Sequence, residues 1–104
     1  MSVTDLDKID AVGTEQNNNA LRLMLADNLG WEYEDVHLEI LQDKLDLYYQ
    51  YINNKLYVEK YGEQYSKFII DIYFQEKISK KCFEFLEIVK KKFISKNIYI
   101  NMHF

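Results

Sequence analysis

The spacing of apolar residues predicts an alternation of strands and amphipathic helices. Three leucines alternate with more polar neighbours over residues 21–26, the period-two pattern of a half-buried strand. A shorter alternation covers residues 9–13. The Asn-rich segment 15–19 between them predicts a turn, because Asn accepts positive φ and bonds to its own backbone. Together these segments predict an antiparallel hairpin.

The longest predicted element is a helix from Glu34 to about Asn53, and its apolar residues fall into two groups. At roughly 100° per residue, the first group shares one side: Leu38, Leu41, Leu45, Tyr48, Tyr49 and Ile52. The second group lies nearly opposite and is bordered by acidic residues: Val36, Ile40, Leu47 and Tyr51, with Glu39, Asp43 and Asp46. A helix on the surface of a small domain needs one apolar face. The second group is therefore expected to be an interface, unless the C-terminal half of the chain covers it.

The second half of the chain predicts two strands and one helix. Residues 68–74 are the most apolar segment, which favours a central strand. Ser79 is a suitable N-cap for a second helix, whose core-facing residues are Ile78, Cys82, Phe85, Leu86, Val89 and Phe93. Residues 98–104 alternate again and predict a last strand, whereas Leu56–Val58 fits either a short strand or an extended connector.

The order β-β-α-(β)-β-α-β predicts one α+β domain over residues 1–104. Two helices are expected to cover one face of a mainly antiparallel sheet of four or five strands, in a two-layer sandwich. With 104 residues, of which 48% are hydrophobic, the chain is long enough to bury a core. Cys82 is the only cysteine, which excludes an intrachain disulfide.

Charge is distributed unevenly along the chain. Residues 1–54 hold eleven acidic residues against three basic ones, whereas residues 55–104 hold six acidic residues against ten lysines. This polarity predicts either an interaction surface or two halves that meet in the fold. The N-terminus lacks the pattern of a signal peptide, and no apolar segment is long enough for a membrane span. We therefore expect a cytoplasmic protein without membrane contact.

No motif of catalysis, metal binding or nucleotide binding is present. The two histidines and the single cysteine form no CxxC, HxxxH or HExxH spacing, and neither GxGxxG nor GxxxxGK[ST] occurs. Lysines and tyrosines around the second helix could contact nucleic acid, but the net charge of −4 disfavours it. The sequence predicts no enzyme, no cofactor, no metal and no nucleic acid partner. A pocket near His37, Cys82 and Trp31 remains as an alternative site for a ligand or an enzymatic reaction.

Two motifs carry a resemblance to a known kind of protein. Residues 27–32 follow Asp-x-Leu-x-Trp-Glu, and residues 37–44 follow His-Leu-x-x-Leu-Gln-x-Lys. Over residues 9–53 the chain resembles a family of small uncharacterised bacterial domains with a hairpin, this corner and this helix. In general character it is also similar to the immunity proteins of bacterial toxin systems.

These observations lead to the hypothesis of a non-enzymatic protein-binding domain, specifically an immunity protein that occludes a cognate toxin such as a basic nuclease. Steering by an acidic helix would bring the two proteins together. The partner-binding residues expected are Glu39, Ile40, Asp43, Asp46, Leu47 and Tyr51. A homodimer formed through the same helix surface is the alternative interaction.

Overall fold

The computed structural model describes residues 9–15 and 19–104 of the chain. The strands are β1 (Ala11–Glu15), β2 (Ala20–Asp27), β3 (Lys67–Phe74) and β4 (Ile98–His103). The helices are α1 (Glu34–Asn53), α2 (Val58–Tyr61) and α3 (Lys80–Ile94). The bounds of α1 agree with the sequence prediction. The predicted N-cap is also confirmed, because the Ser79 side chain accepts a hydrogen bond from the Cys82 amide at 3.1 Å.

The described strands form one mixed sheet in the order β1-β2-β3-β4. Strands β1 and β2 pair antiparallel, as the predicted hairpin requires. Strand β2 pairs parallel with β3, and β3 pairs parallel with β4. The prediction of a mainly antiparallel sheet was therefore wrong. Each parallel pair is joined through a long helix, and parallel strands need such a crossover connection.

Both long helices cover the same face of the sheet. Crossovers between adjacent parallel strands are right-handed, so two successive steps in one direction place both helices on one side. Alternate residues of β2, β3 and β4 form a single core with both helices: Leu21, Leu23, Leu25, Phe68, Ile70, Ile72, Ile98 and Ile100, with Leu41, Leu45, Tyr48, Cys82 and Leu86. This arrangement supports the predicted two-layer α+β architecture.

The segment that the sequence left undecided is not a strand. Leu56 and Tyr57 lie in a turn, and Val58 begins the single-turn helix α2. The turn begins at Asn54, directly after α1, and Lys55 within it takes a positive φ of 55°. Tyr57 then packs its ring against those of Tyr51 and Phe68. Tyr57 therefore closes one end of the core, whereas Leu56 is exposed.

Helix α1 has one wide core-facing side, where the sequence predicted two separate faces. Its buried residues are His37, Leu41, Lys44, Leu45, Tyr48 and Ile52. Because His37 and Lys44 are polar, they interrupt the apolar pattern within the buried side and make it look like two. On one flank Tyr49 stacks on Phe93 of α3 at 5.4 Å. The second apolar group forms the opposite flank of the same side.

Candidate functional site

The corner between β2 and α1 is built around a buried ion pair. The Nε2–H of His37 donates to the Asp27 carboxylate at 2.6 Å, and its Nδ1–H donates to the Gly30 carbonyl oxygen at 2.9 Å. Trp31 stacks on the imidazole with ring centroids 3.6 Å apart. Asp27 and His37 are each only 2% exposed. The end of β2 is thereby fixed to the start of α1.

Both ring nitrogens of His37 form hydrogen bonds within the protein. Each nitrogen lies within hydrogen-bonding distance of a protein oxygen atom, so the ring has no nitrogen left for a bound molecule. Asp27 also accepts a hydrogen bond from the Leu29 amide at 3.1 Å. Neither group is placed to exchange a proton with a bound molecule. The pair therefore has the geometry of a structural contact that holds the end of β2 to the start of α1.

A second buried ion pair fixes the middle of α1 to the edge of the sheet. The ammonium group of Lys44 donates to the Asp10 carboxylate at 3.0 Å, and both residues are buried. Asp10 also accepts a hydrogen bond from the Ala26 amide at 2.8 Å. The Tyr48 hydroxyl accepts from the Asp10 amide at 3.0 Å and donates to the Met24 carbonyl oxygen. Burial raises the pKa of Tyr48, so this hydroxyl stays protonated and able to donate.

Cys82 is not available as a nucleophile in this fold. Its side chain is fully buried on the sheet-facing side of α3, and burial, with the nearby charges of Asp27 and Glu34, raises the pKa of its thiol to about 12. A nucleophilic cysteine reacts as the thiolate, which needs exposure and a lowered pKa. Neither His37 nor Cys82 lines the surface groove between α1 and α3 or the surface cleft beside the start of α3. The geometry gives no support to the alternative pocket at these residues.

We expect the Cys82 thiol to be protected until the protein opens. In native buffer, its reaction with a disulfide reagent at mildly alkaline pH should be about 10³-fold slower than in denaturant, since access requires opening of the core. The measurement is the absorbance of the released thiolate over time. Labelling at the unfolded-chain rate would contradict the buried placement and reopen the question of a reactive thiol.

A third polar cluster lies on the face of the sheet that the helices leave uncovered. Asp71 in the centre of β3 accepts hydrogen bonds from Arg22 at 2.7 Å and from His103 at 2.9 Å. Burial would raise the pKa of Asp71, but these two hydrogen bonds outweigh it and place the pKa below its ordinary value. Glu15 pairs with Arg22 from β1 at 3.2 Å. This cluster joins all four strands and serves the sheet itself.

The three acidic residues predicted for partner binding lie together on the outer side of α1. Glu39, Asp43 and Asp46 are all exposed. At roughly 100° per residue they are centred opposite the buried side of the helix. The structure therefore turns these carboxylates directly toward solvent.

A groove runs beside this acidic side, between α1 and α3. It encloses about 730 Å³, and its lining comprises Gln42, Asp43, Leu45, Asp46, Tyr49, Phe85, Ile88, Val89, Lys92, Phe93 and Lys96. Aromatic and aliphatic side chains form the floor. Asp43 and Asp46 lie on the α1 wall, and Lys92 in α3 and Lys96 just after it lie on the opposite wall. Ile88 is 56% exposed, which makes it an accessible apolar contact in the groove.

The apolar residues predicted for partner binding have a different placement. Ile40, Leu47 and Tyr51 are half-buried and pack against the core. The Tyr51 ring lies 6.3 Å from that of Tyr57, which precedes α2. The chain itself thus covers part of the second apolar group. What stays accessible of these three side chains borders the acidic side of α1.

The structure shows what the residues of the two sequence motifs do in the fold. Asp27, Trp31 and His37 meet at the corner, and Lys44 lies two turns further along α1 in the second ion pair. The motif residues therefore stabilise the fold by contacts between α1 and the sheet. Sequence reasoning missed Asp10 as the partner of Lys44, and it missed the contact between Arg22 and Asp71. Each of these contacts joins residues that are far apart in the chain. The one available signal was Asp71, a charge within an otherwise apolar strand.

A second cleft lies at the carboxyl ends of β3 and β4, beside the start of α3. It encloses about 630 Å³, and its lining comprises Phe74, Gln75, Glu76, Lys77, Ile78, Ser79, Lys80, Phe83 and Phe104. Within residues 9–15 and 19–104, no group of three or more His, Cys, Asp or Glu side chains is placed to hold a metal ion. None of the described helices has both the length and the apolar character of a bilayer crossing.

Comparison with known proteins identifies a family. A family of unknown function (DUF6572) has a model that matches residues 1–104. No curated protein and no solved structure matches the chain. The match extends beyond the segment 9–53, on which the resemblance to a small uncharacterised domain family rested. The family has no assigned activity, so the function is inferred from the geometry of the surface.

Proposed function

Since the chain belongs to the DUF6572 family, whose function is unknown, we propose a role from its surface: a non-enzymatic domain that binds a basic protein partner through α1. The surface consists of Glu39, Asp43 and Asp46 together with the adjoining groove between α1 and α3. The observation that supports it is the exposure of all three carboxylates beside an accessible apolar floor. An interface needs both charge for orientation and apolar area for affinity.

The two parts of this surface have different tasks. Carboxylates on one helix side attract a basic partner and raise the association rate, an effect that salt screens. Apolar anchors then slow dissociation by excluding water. Ile88 and Tyr49 in the groove supply such anchors, and the exposed parts of Ile40, Leu47 and Tyr51 extend the contact on the other border.

A cytoplasmic immunity protein that neutralises a cognate toxin is the specific form of this proposal. Nuclease toxins bind phosphate and carry basic active sites, so an acidic helix laid across such a site blocks it sterically and by charge. The buried fastenings at His37 and Lys44 support the idea, because they hold α1 rigid from its first turn to its middle. A preorganised surface loses less entropy on binding.

The experiment reverses the charge of the α1 surface. A basic protein that co-purifies with the wild-type chain is isolated and titrated with the wild type and with an Asp43→Lys/Asp46→Lys variant. Loss of two attractive charges and gain of two repulsive ones should raise Kd by about 100-fold or more. The wild-type association rate should also fall steeply with added salt.

A matched control separates local charge from net charge. Glu59→Lys/Glu63→Lys changes the net charge by the same amount at exposed positions in and after α2. We expect this variant to bind within a few-fold of the wild type. Equal loss in both double variants would show that only net charge matters. Undiminished binding by the α1 variant would disprove the proposed surface.

A further inference from the structure

We propose that the chain forms a two-fold symmetric homodimer through the free edge of β4 and the adjoining flank of α3. This dimer surface comprises β4 (Ile98–His103) and four residues of α3: Phe83, Glu87, Lys90 and Ile94. It lies away from the acidic side of α1, so the dimer and the proposed partner would occupy different surfaces. The inference is independent of the proposed function.

Strand β4 is an edge that lacks the usual protection against pairing. In the described part of the chain it pairs with β3 alone, so its other side presents unpaired N–H and C=O groups. Natural edge strands are commonly blunted by lysine, proline, bulges or very short length. The β4 sequence Ile-Tyr-Ile-Asn-Met-His has six residues and contains no lysine, proline or acidic residue. It is suited to accept another strand.

The flank of α3 above this edge carries exposed apolar side chains. Cys82 and Leu86 face the sheet, and residues such as Ile88 and Lys92 face α1 across the groove. The remaining flank therefore overhangs β4 on the side away from α1. On it, Phe83 is 46% exposed and Ile94 is 56% exposed. These two apolar side chains, one at each end of the flank, provide apolar area that a second copy of the chain can bury.

This flank is complementary to itself. The apolar pair Phe83 and Ile94 and the charged pair Glu87 and Lys90 share one midpoint along the helix. That midpoint lies between Ile88 and Val89. A two-fold axis at that level brings antiparallel copies together with residue i against j and j against i. Phe83 then meets Ile94 of the second copy, and Glu87 meets Lys90. Within one chain the last two charges are only loosely paired, at 3.9 Å.

The same axis also serves the strand. The turn after α3 holds its end to the start of β4, since the Asn97 amide donates to the Ile94 carbonyl oxygen at 3.1 Å. At about 1.5 Å per helical residue, the centre of the charge pairs lies about 8 Å back from Ile94. At about 3.3 Å per strand residue, the middle of β4 lies about 8 Å on from Ile98. One axis can therefore pair β4 with β4 and α3 with α3 in the same dimer.

The test measures mass across a concentration series by sedimentation, with a matched pair of variants. Ile94→Lys places a charge in the proposed interface, twice per dimer, and should raise the dimer Kd about tenfold or more. Ile88→Lys makes the same change on the same helix at equal exposure, 56%, but on the flank that faces α1. The wild type and Ile88→Lys should dimerise alike. Ile88→Lys should weaken partner binding only, which keeps the two proposals distinguishable.

The second test exchanges the charges of Glu87 and Lys90. Both side chains are partly exposed, so the substitutions leave the fold intact. Glu87→Lys and Lys90→Glu alone each set like charges against each other in the dimer and should weaken it. The double exchange restores opposite charges and should restore dimerisation. A wild type that stays monomeric at high micromolar concentration overturns the proposal. So does equal behaviour of Ile94→Lys and Ile88→Lys, or loss of the dimer in Asp43→Lys/Asp46→Lys, which would place the contact on α1.

Discussion

Replacement of Lys44 by methionine is expected to lower the free energy of unfolding by about 3–5 kcal/mol, the usual cost of leaving one member of a buried ion pair without its partner. The Asp10 carboxylate would keep the Ala26 amide as a donor but lose the ammonium group 3.0 Å away. Methionine preserves most of the volume of the lysine stem, so the loss reports charge and hydrogen bonding. Urea unfolding with linear extrapolation measures it.

Two further variants interpret that result. Lys91→Met makes the same substitution at an exposed position of α3 and should change stability by no more than about 0.5 kcal/mol. The double variant Asp10→Asn/Lys44→Met removes both charges and should recover a large part of the loss, because no uncompensated ion stays buried. A loss below about 1 kcal/mol for Lys44→Met would contradict the buried pair.

Replacement of His37 by alanine should cost about 3 kcal/mol or more, for a related reason. It leaves the Asp27 carboxylate and the Gly30 carbonyl oxygen without their ring donors and removes the ring stacked on Trp31. Trp31 is the only tryptophan, so its emission reports this corner alone. We expect a red shift of the native emission along with the loss measured by urea unfolding, as water reaches the indole.

The second histidine is the control for this prediction. His103→Ala also removes a hydrogen bond to a buried aspartate, but Asp71 keeps Arg22 as its ion-pair partner, and His103 is itself exposed. Its cost should be about 1 kcal/mol or less, without a change in tryptophan emission. If both histidine variants were equally stable, the corner would not be the fastening that its geometry indicates.

The candidate site could be predicted only in part. The acidic residues Glu39, Asp43 and Asp46 follow from helical spacing, and the structure exposes all three. The groove beside them needs the approach of α3, which no local pattern encodes. Likewise, Ile88 belongs to no motif and gains its role from its position opposite Tyr49. Whether this surface binds a partner stays a prediction until the charge reversal is made.

Two features of the fold were misjudged from the chain because they depend on long-range pairing. Period-two alternation indicates that Phe68–Phe74 is a strand, but alternation is the same in parallel and antiparallel pairs. The interpretation of α1 failed at His37 and Lys44. Their side chains count as polar in any pattern, and their burial is possible because each is hydrogen-bonded to a buried aspartate, Asp27 or Asp10.

The sequence by itself determined most elements of this protein, because strand and helix follow from the local spacing of apolar residues: the hairpin strands, α1 from Glu34 to Asn53, the Ser79 cap and the α+β class. The tertiary structure alone decided the parallel pairing of β2, β3 and β4, the single core-facing side of α1 and, among the described residues, the free edge of β4. Those features depend on partners distant in the chain. Lys44 and Asp10 are 34 residues apart, and burial of such a charge is stable only when the fold brings the second one to it.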